Sequence, residues 1–400
     1  MAVRLIFTST LNLPANVNSL SLRISLLVIG CALLGGGLKA QVVVPVDTRV
    51  PVGVSISGPN GGSATEIVSA DLKRTGMITP ASGGSGEYFA TGEAAEGGIT
   101  GKLVEKRTGA TAFAQTFAGT PRLAAHEFAD AITKAVTGLP GFAASKLAFI
   151  SNATGSKELY LSDIDGFGAR ALTHDGVICA SPALNRDASK LAYSSYKSDY
   201  LDVYLIDLKT GDRNRIAYFP GINSGPSFSP DGSLIALTLS KDGNPEIYTM
   251  STSGGSLTRI TRTRGSETSP SWSPTGDRLV YSSDDRGSPQ LFISSSGGVT
   301  DPDHLITGNS YCTKPDWSPD GKLIAFTTRL GGQFQIGVYD LSSRTAKLIT
   351  TSGGQDPDWT CDSRHLVYSN NGHLYLLDTF SHQSLPIEGP SGSGEPAVSR

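Results

Sequence analysis

The sequence predicts a mainly β protein, a six-bladed β-propeller preceded by a small α/β domain. Three observations predict it. One motif recurs five times from Pro182 onward, Gly 47 and Pro 22 together make about a sixth of the chain, and the last six residues begin the motif once more. The lead prolines Pro182, Pro226, Pro270, Pro315 and Pro357 lie 44, 44, 45 and 42 residues apart. A period of about 40–45 residues is that of a four-stranded propeller blade.

Each repeat reads as four strands. PSFSPDGSLIALTLS (226–240), PSWSPTGDRLVYSSD (270–284) and PDWSPDGKLIAFTTR (315–329) align directly, and PALNRDASKLAYSSY (182–196) and PDWTCDSRHLVYSNN (357–371) carry eroded turns. Pro-x-Trp/Phe-Ser is a short inner strand with one large apolar side chain. Ser-Pro-Asp-Gly is a tight turn, since proline presets φ and glycine tolerates its positive values. An alternating strand follows, such as Leu234–Leu237, then a third strand, such as Glu246–Met250, and a glycine-rich turn into an outer strand, such as Ser256–Thr261. The stretch before Pro182 holds three strands, 146–151, 158–163 and 169–174, and lacks the first. EPAVSR at 395–400 supplies it, which closes six blades and removes the open sheet edge.

The amino-terminal part is different. Residues 24–38 are an apolar run with Arg4 and Arg23 before it and Lys39-Ala40-Gln41 after it, the pattern of a signal peptide over 1–40 cut after Ala40. A signal anchor is an alternative, and so is a lipoprotein box, VIGC at 28–31, which would lipidate Cys31. Under all three readings the folded part is exported. Residues 41–140 lack the repeat and form the small α/β domain; 141–400 form the propeller. Val50–Ile56 reads as a strand, Ser63-Ala64-Thr65-Glu66 as a capping box before a helix, 101–107 and 111–117 as a hairpin, and 122–136 as an amphipathic helix.

Composition excludes several classes. Lys+Arg 33 against Asp+Glu 36 leaves a net charge of −3, without the basic stripe of a nucleic-acid binder. No unbroken apolar stretch reaches spanning length, so the mature protein is expected to have no membrane span. Gly-x-Ser-x-Gly, His-Glu-x-x-His, Walker A and Cys-x-x-Cys motifs are absent, and no two of the six histidines have metal-ligand spacing. We therefore expect no catalytic residues, no metal and no cofactor. His126 reads as a packing or surface residue of its helix. Asp163-x-Asp165-Gly166 resembles a calcium loop without its further ligands and reads as a strand-joining turn. Asp231 and Asp320 read as turn formers. Trp272, Trp317 and Trp359, with Phe228 and Leu184, occupy one blade position and read as core between blades. Cys179 and Cys312 lie at one site in blades two and five, opposite each other across the ring and beyond the ~7 Å reach of a disulfide. The mature cysteines are accordingly expected as free thiols.

The residues just before the lead prolines are Ser181, Gly225, Ser269, Lys314, Asp356 and Glu395. Their register is fixed while their charge varies. Polar loops of this kind on a rigid scaffold are where recognition resides.

ATEIVSADLKRTGMI (64–78), AAHEFADAITKAVTGLPGFAASKLAFIS (124–151) and the Ser-Pro-Asp-Gly repeats together resemble the TolB family of the Tol–Pal envelope system, over about residues 42–400. The resemblance implies a monomeric, non-enzymatic periplasmic scaffold that supports outer-membrane integrity, cell division and protein transport. It implies that a peptidoglycan-associated lipoprotein (Pal) binds at the propeller mouth, here Asn223, Ser224, Gly225, Glu267, Thr268, Ser269, Lys314, Asp356 and Glu395. It also implies that an inner-membrane Tol protein binds the amino tail, Gln41, Val42, Val43, Val44, Pro45, Val46 and Asp47. The chain departs from the family between Met77 and Tyr88, where a further helix is usual. The alternative is an exported propeller module that binds or hydrolyses a small molecule or peptide in its channel.

Overall fold

The structure, a computed structural model, describes residues 49–81, 85–298 and 301–400. The leader 1–40 with Cys31, and the tail Gln41–Asp47, lie outside the described residues. The amino-terminal α/β region contains β1 (Val50–Ser57), α1 (Gly61–Arg74), β2 (Ile78–Ala81), β3 (Tyr88–Ala95), β4 (Gly98–Glu105), β5 (Thr111–Ala118) and α2 (Pro121–Thr137). Its sheet runs β2-β1-β3-β4-β5, parallel about β1 and antiparallel beyond β3. One core joins the strands to both helices, with Val52, Val68, Leu72, Ile99, Leu103, Phe128 and Ile132 fully buried.

The α2 boundaries follow the sequence rules. Thr120 caps the first turn by accepting the Leu123 N–H, Pro121 starts the helix, and Gly138 ends it at φ 79°. The start of α1 differs from the capping-box expectation. The helix begins at Gly61 behind Asn60, whose side chain makes no cap. A Cβ on Gly61 would stand 2.3 Å from the Ile56 carbonyl oxygen, so only glycine permits the close turn from β1. Thr65, one turn inside, donates to the Gly61 carbonyl and accepts the Ile56 N–H. β2 stands just after Met77, where the sequence suggested no element.

The rest of the described chain is a propeller of six four-stranded antiparallel blades. Ser393–Val398 is the inner strand of the blade whose other strands are Lys146–Ser151, Glu158–Asp163 and Arg170–Ala171. Ser393 pairs with Ser151 and Val398 with Leu147. Ser399 fastens the junction twice, accepting the Lys146 N–H on its hydroxyl at 2.8 Å and donating its own N–H to the Lys146 carbonyl at 3.0 Å.

The tryptophans pack between blades as expected, and they also stitch them. Trp272 donates its indole N–H to the Ser227 carbonyl at 3.0 Å and Trp359 to the Asp316 carbonyl at 3.1 Å. Trp317 donates to Gly321 in its own turn. In the Ser-Pro-Asp-Gly turns the aspartate accepts from the serine hydroxyl, and that hydroxyl accepts the N–H five residues on, as in Ser229–Asp231–Leu234 and Ser318–Asp320–Leu323. Cys179, Cys312 and Cys361 are free thiols.

The α/β region docks on the propeller end that carries these turns. Arg122 on α2 donates to Asp163 at 2.8 Å and to Asp165 at 2.6 Å, and its guanidinium lies 3.9 Å from the Phe167 ring centroid. His126 is buried, with Nδ1 2.6 Å from Asp71 Oδ2. Asp130 accepts the N–H groups of Ala143 and Ala144 in the connecting segment. The Asp163–Gly166 turn is thus the docking point of α2, beyond the turn role expected of it. Among the described residues no helix is long and apolar enough to cross a membrane.

Removing Glu395–Arg400 strips one blade of its inner strand and exposes the Lys146–Ser151 edge. The expected outcome is a stability loss of at least ~3 kcal/mol, from lost burial of Ala397 and Val398 and lost ladder bonds, with aggregation. Thermal unfolding with light scattering checks it; an unchanged melting temperature would refute closure by the carboxyl end.

Candidate functional site

All six inner strands break register at the same place. Pairing skips between Ala180 and Ala183, Ser224 and Ser227, Thr268 and Ser271, Thr313 and Asp316, Gln355 and Asp358, and Gly394 and Ala397. The lead proline cannot donate to the ladder, and a bulge accommodates it. The residue before it takes a left-handed backbone: Ser181 φ 50°, Gly225 58°, Ser269 54°, Lys314 50°, Asp356 54° and Glu395 50°. All six line one channel cavity of about 260 Å³. Five are not glycine, and each such residue in that region costs about 1–2 kcal/mol. Strain repeated around one cavity marks a candidate site.

The ring is held by its own polar groups. Glu395 accepts the Ser181 N–H at 2.7 Å, and Lys314 lies 3.8 Å from Glu395 and 3.4 Å from the Ser181 hydroxyl. Burial opposes the charge of Lys314, but Glu395 and Asp356 outweigh it and its pKa rises. Burial raises Asp356, which Lys314 partly offsets. Deeper in the channel, Arg400 bonds Asp316 and lies 3.4 Å from Asp358, while donating to the Trp317 and Trp359 carbonyls at 3.2 Å. Asp316 also accepts from the Ser271 hydroxyl and the Trp359 N–H, tying three blades together. Burial, then repulsion from Asp316, raises Asp358.

The predicted mouth residues divide into two groups. Gly225, Ser269, Lys314, Asp356 and Glu395 line the channel, with Ser181. Ser224 and Thr268 are half-buried beside them. Asn223 and Glu267 are fully buried, which corrects their expected role as partner contacts. Asn223 donates to the Phe219 and Leu201 carbonyls and accepts the Phe219 N–H. Glu267 accepts from the Thr263 and Ser283 hydroxyls. Both hold the loop that leads into the inner strand. The tail residues Gln41–Asp47 fall outside the described chain.

A second set of loop anchors was missed. Glu158 accepts the Gly176 N–H, Glu246 the Thr263 N–H and Gln335 the Gly353 N–H, at 2.8, 2.9 and 3.2 Å. Thr173, Thr261 and Thr350 accept the Leu159, Ile247 and Ile336 N–H groups. The signal was present: Glu or Gln near the start of the third strand, and a threonine after the outer strand, recur with the blade period.

Fold and site define a closed propeller with a polar-ringed channel, docked on a small α/β region. Against known families, the model described as the TolB beta propeller domain matches residues 133–397, and the chain belongs to the TolB family. It is 33% identical over 109 residues to the Protein TolB homolog of Chlorobium chlorochromatii, covering 26% of this chain and 25% of that one. It is 49% identical over 61 residues to the Tol-Pal system protein TolB of Syntrophotalea carbinolica, covering 15% and 14%. The matches thus span a quarter or less of these curated relatives. The crystal structure of TolB from Acinetobacter baumannii superimposes with a TM-score of 0.77 at 27% identity, covering 88% of this chain and 97% of that one.

Two outcomes test the site. Ser269→Gly relieves a left-handed residue where blade three already has glycine, and is expected to stabilise by ~0.5–1 kcal/mol in urea denaturation. Burial pushes the Asp130 carboxyl up to about 7, and burial with Glu246 nearby raises Glu267. A folded pKa above the unfolded value, near ~4, means that the folded state holds the extra proton between the two. These contributions are whole below the unfolded value and lost as pH rises through the folded one. The melting temperature is therefore expected to fall from pH 5 to pH 8, and Glu267→Gln to flatten that fall.

Proposed function

We propose that this protein is the TolB component of a Tol–Pal system: a non-enzymatic periplasmic scaffold whose propeller binds a peptidoglycan-associated lipoprotein and whose amino tail binds an inner-membrane Tol protein. The observation that carries this reading is the ring of strained polar residues at one level of the channel, within a chain of the TolB family. Lys314, Asp356 and Glu395 offer charge to an approaching protein, and rim charge acts mainly on association rate and salt dependence. Ser224 and Thr268 stand beside them, on loops anchored from beneath by Asn223 and Glu267. Outer-membrane integrity and cell division are the processes such a scaffold would support.

The test is capture from detergent-solubilised envelope with the purified protein as bait. The expected result is recovery of a peptidoglycan-associated lipoprotein, and at least about tenfold weaker binding by Thr268→Ile, whose larger side chain crowds the channel end, with the fold intact. Deleting Gln41–Asp47 should abolish binding of the inner-membrane protein and leave the lipoprotein bound. Equal binding by both variants would overturn the reading. The channel cavity of about 260 Å³ sustains the second reading, a small-molecule or peptide site; failure to capture protein, with a ligand retained in the channel, would favour it.

A further inference from the structure

One face of α2 carries three ionisable side chains spaced by four, Arg122, His126 and Asp130. Residues so spaced are neighbours on a helix surface. Each holds a different part of the molecule. Arg122 bonds the 163–166 turn of the propeller, and Asp130 bonds the segment that connects the α/β region to it. His126, between them, is only 2% exposed and reaches α1 through Nδ1, 2.6 Å from Asp71 Oδ2. Arg74 donates to the other oxygen of that carboxylate at 2.7 Å. Asp71 is therefore the acceptor, and Nδ1 carries the proton.

The second ring nitrogen is unused. His126 Nε2 is buried and has no hydrogen-bond partner among the described residues. Asp163 Oδ2, on the propeller, lies 3.8 Å from it. Both residues line a cleft of about 810 Å³ between α2 and the blades. Asp163 is held as a carboxylate: burial opposes its charge, but Lys146 and Arg122 outweigh burial and lower its pKa. A ring with its proton on Nδ1 alone turns a lone pair toward this carboxylate, one buried acceptor facing another. A ring protonated on both nitrogens turns an N–H toward it. An approach of about 1 Å then makes a charge-assisted hydrogen bond.

The other charged groups at this seam are engaged. Arg122 pairs with Asp163 and Asp165, Lys146 with Asp163, and Arg74 with Asp71, with Asp165 3.8 Å away. The connecting segment, 138–145, has no titratable side chain. On the neighbouring blade, burial pushes the Cys361 thiol up to about 12, and His365 gives Nδ1 to Asp362 and its ring to Phe142. Asp130 is the second group of the seam that changes charge near neutrality.

We propose that His126 is a proton-dependent latch between the α/β region and the propeller. Protonated on both nitrogens, it bridges Asp71 of α1 and Asp163 of the blade turn. Loss of the Nε2 proton breaks the bridge and leaves Arg122 as the grip of α2 on that turn. Histidine is the side chain whose ordinary titration lies between pH 5 and 8. The docked form holds a proton that the undocked form holds less tightly, so docking is strongest at the acid end of this range and weakens as pH rises. This gives His126 a role beyond the packing expected of it.

Hydrogen–deuterium exchange of the purified protein, read by mass spectrometry at pH 5.5 and pH 8, tests the latch. Protection factors remove the intrinsic pH dependence of exchange. For α2 and 138–145 they are expected to fall about tenfold between the two values, the size of one charge-assisted hydrogen bond. Those of Leu323–Leu330 and Gln333–Asp340, in blade five, should hold within about twofold. His126→Gln, neutral throughout, should abolish the fall, and so should Asp163→Asn, which leaves Nε2 no carboxylate to face. Asp130→Asn removes the second titrating group and should keep most of the fall. No fall in the unaltered protein, a fall that persists in either of the first two variants, or one that disappears in Asp130→Asn would overturn the proposal. If the variants fail to fold, imidazole nitrogen NMR of the unaltered protein decides. His126 should gain its Nε2 proton between pH 8 and pH 5.5 while Nδ1 keeps its own; a ring that stays neutral, or stays charged, across that range refutes the latch.

Discussion

Closure of the ring by the chain's last strand is the constraint on which the other features depend. Ser393–Val398 must find Lys146–Ser151, about 250 residues earlier, and the contact is sealed by two hydrogen bonds to Ser399. Until that pairing forms, two blade edges are open and the channel has no sixth wall. The loop-closure entropy is unrewarded before the last contact, which makes this the most nonlocal step of the fold. Once closed, six inner strands are fixed at one radius, and whatever stands at a given register in each becomes a ring.

The bulge before each lead proline turns that geometry into a site. A regular inner strand would direct alternate side chains into the neighbouring blades, leaving the channel lined by backbone. Proline interrupts the ladder, and the left-handed residue ahead of it re-aims one side chain per blade toward the axis. Charges then meet that are distant in sequence: Lys314 reaches Glu395 and Ser181. At the other level Arg400 gathers Asp316 and Asp358, so the residue that follows the closing strand also fastens the tryptophan carbonyls of two blades.

Much of this was legible because it repeats. The blade period, the Ser-Pro-Asp-Gly turns and the place of the tryptophans are local chemistry written several times over, and EPAVSR could be matched to the blade that lacked it. The illegible parts depend on single residues acting across space. The family resemblance placed Asn223 with Gly225, and Glu267 with Ser269, at the mouth, and residues two apart do share a face in a regular strand. The left-handed residue breaks that parity, and the earlier member of each pair turns inward to hold a loop. Ser63 satisfied a capping pattern, yet α1 begins at Gly61 because tertiary contact with Ile56 required a residue without Cβ. β2 was too short, and too compromised by Pro80, to declare itself.

The docking of α2 follows from the same logic of borrowed groups. Asp163 and Asp165 belong to a turn that the first blade needs in any case; Lys146 of the same blade bonds Asp163, and Arg122 exploits the turn from outside. These cations hold Asp163 below its ordinary pKa against the effect of burial, and Arg122 and the Phe167 N–H do the same for Asp165. The blade that the chain's end completes is therefore also one on which the α/β region rests, the other being its neighbour, where Cys361 donates to the Gly141 carbonyl and His365 lies against Phe142. Disturbing closure would loosen the Lys146 strand, and with it the turn that carries both aspartates. The channel and the amino-terminal region thus share a blade: Val398 of its inner strand lines the channel and pairs with Leu147, next to the Lys146 that bonds Asp163.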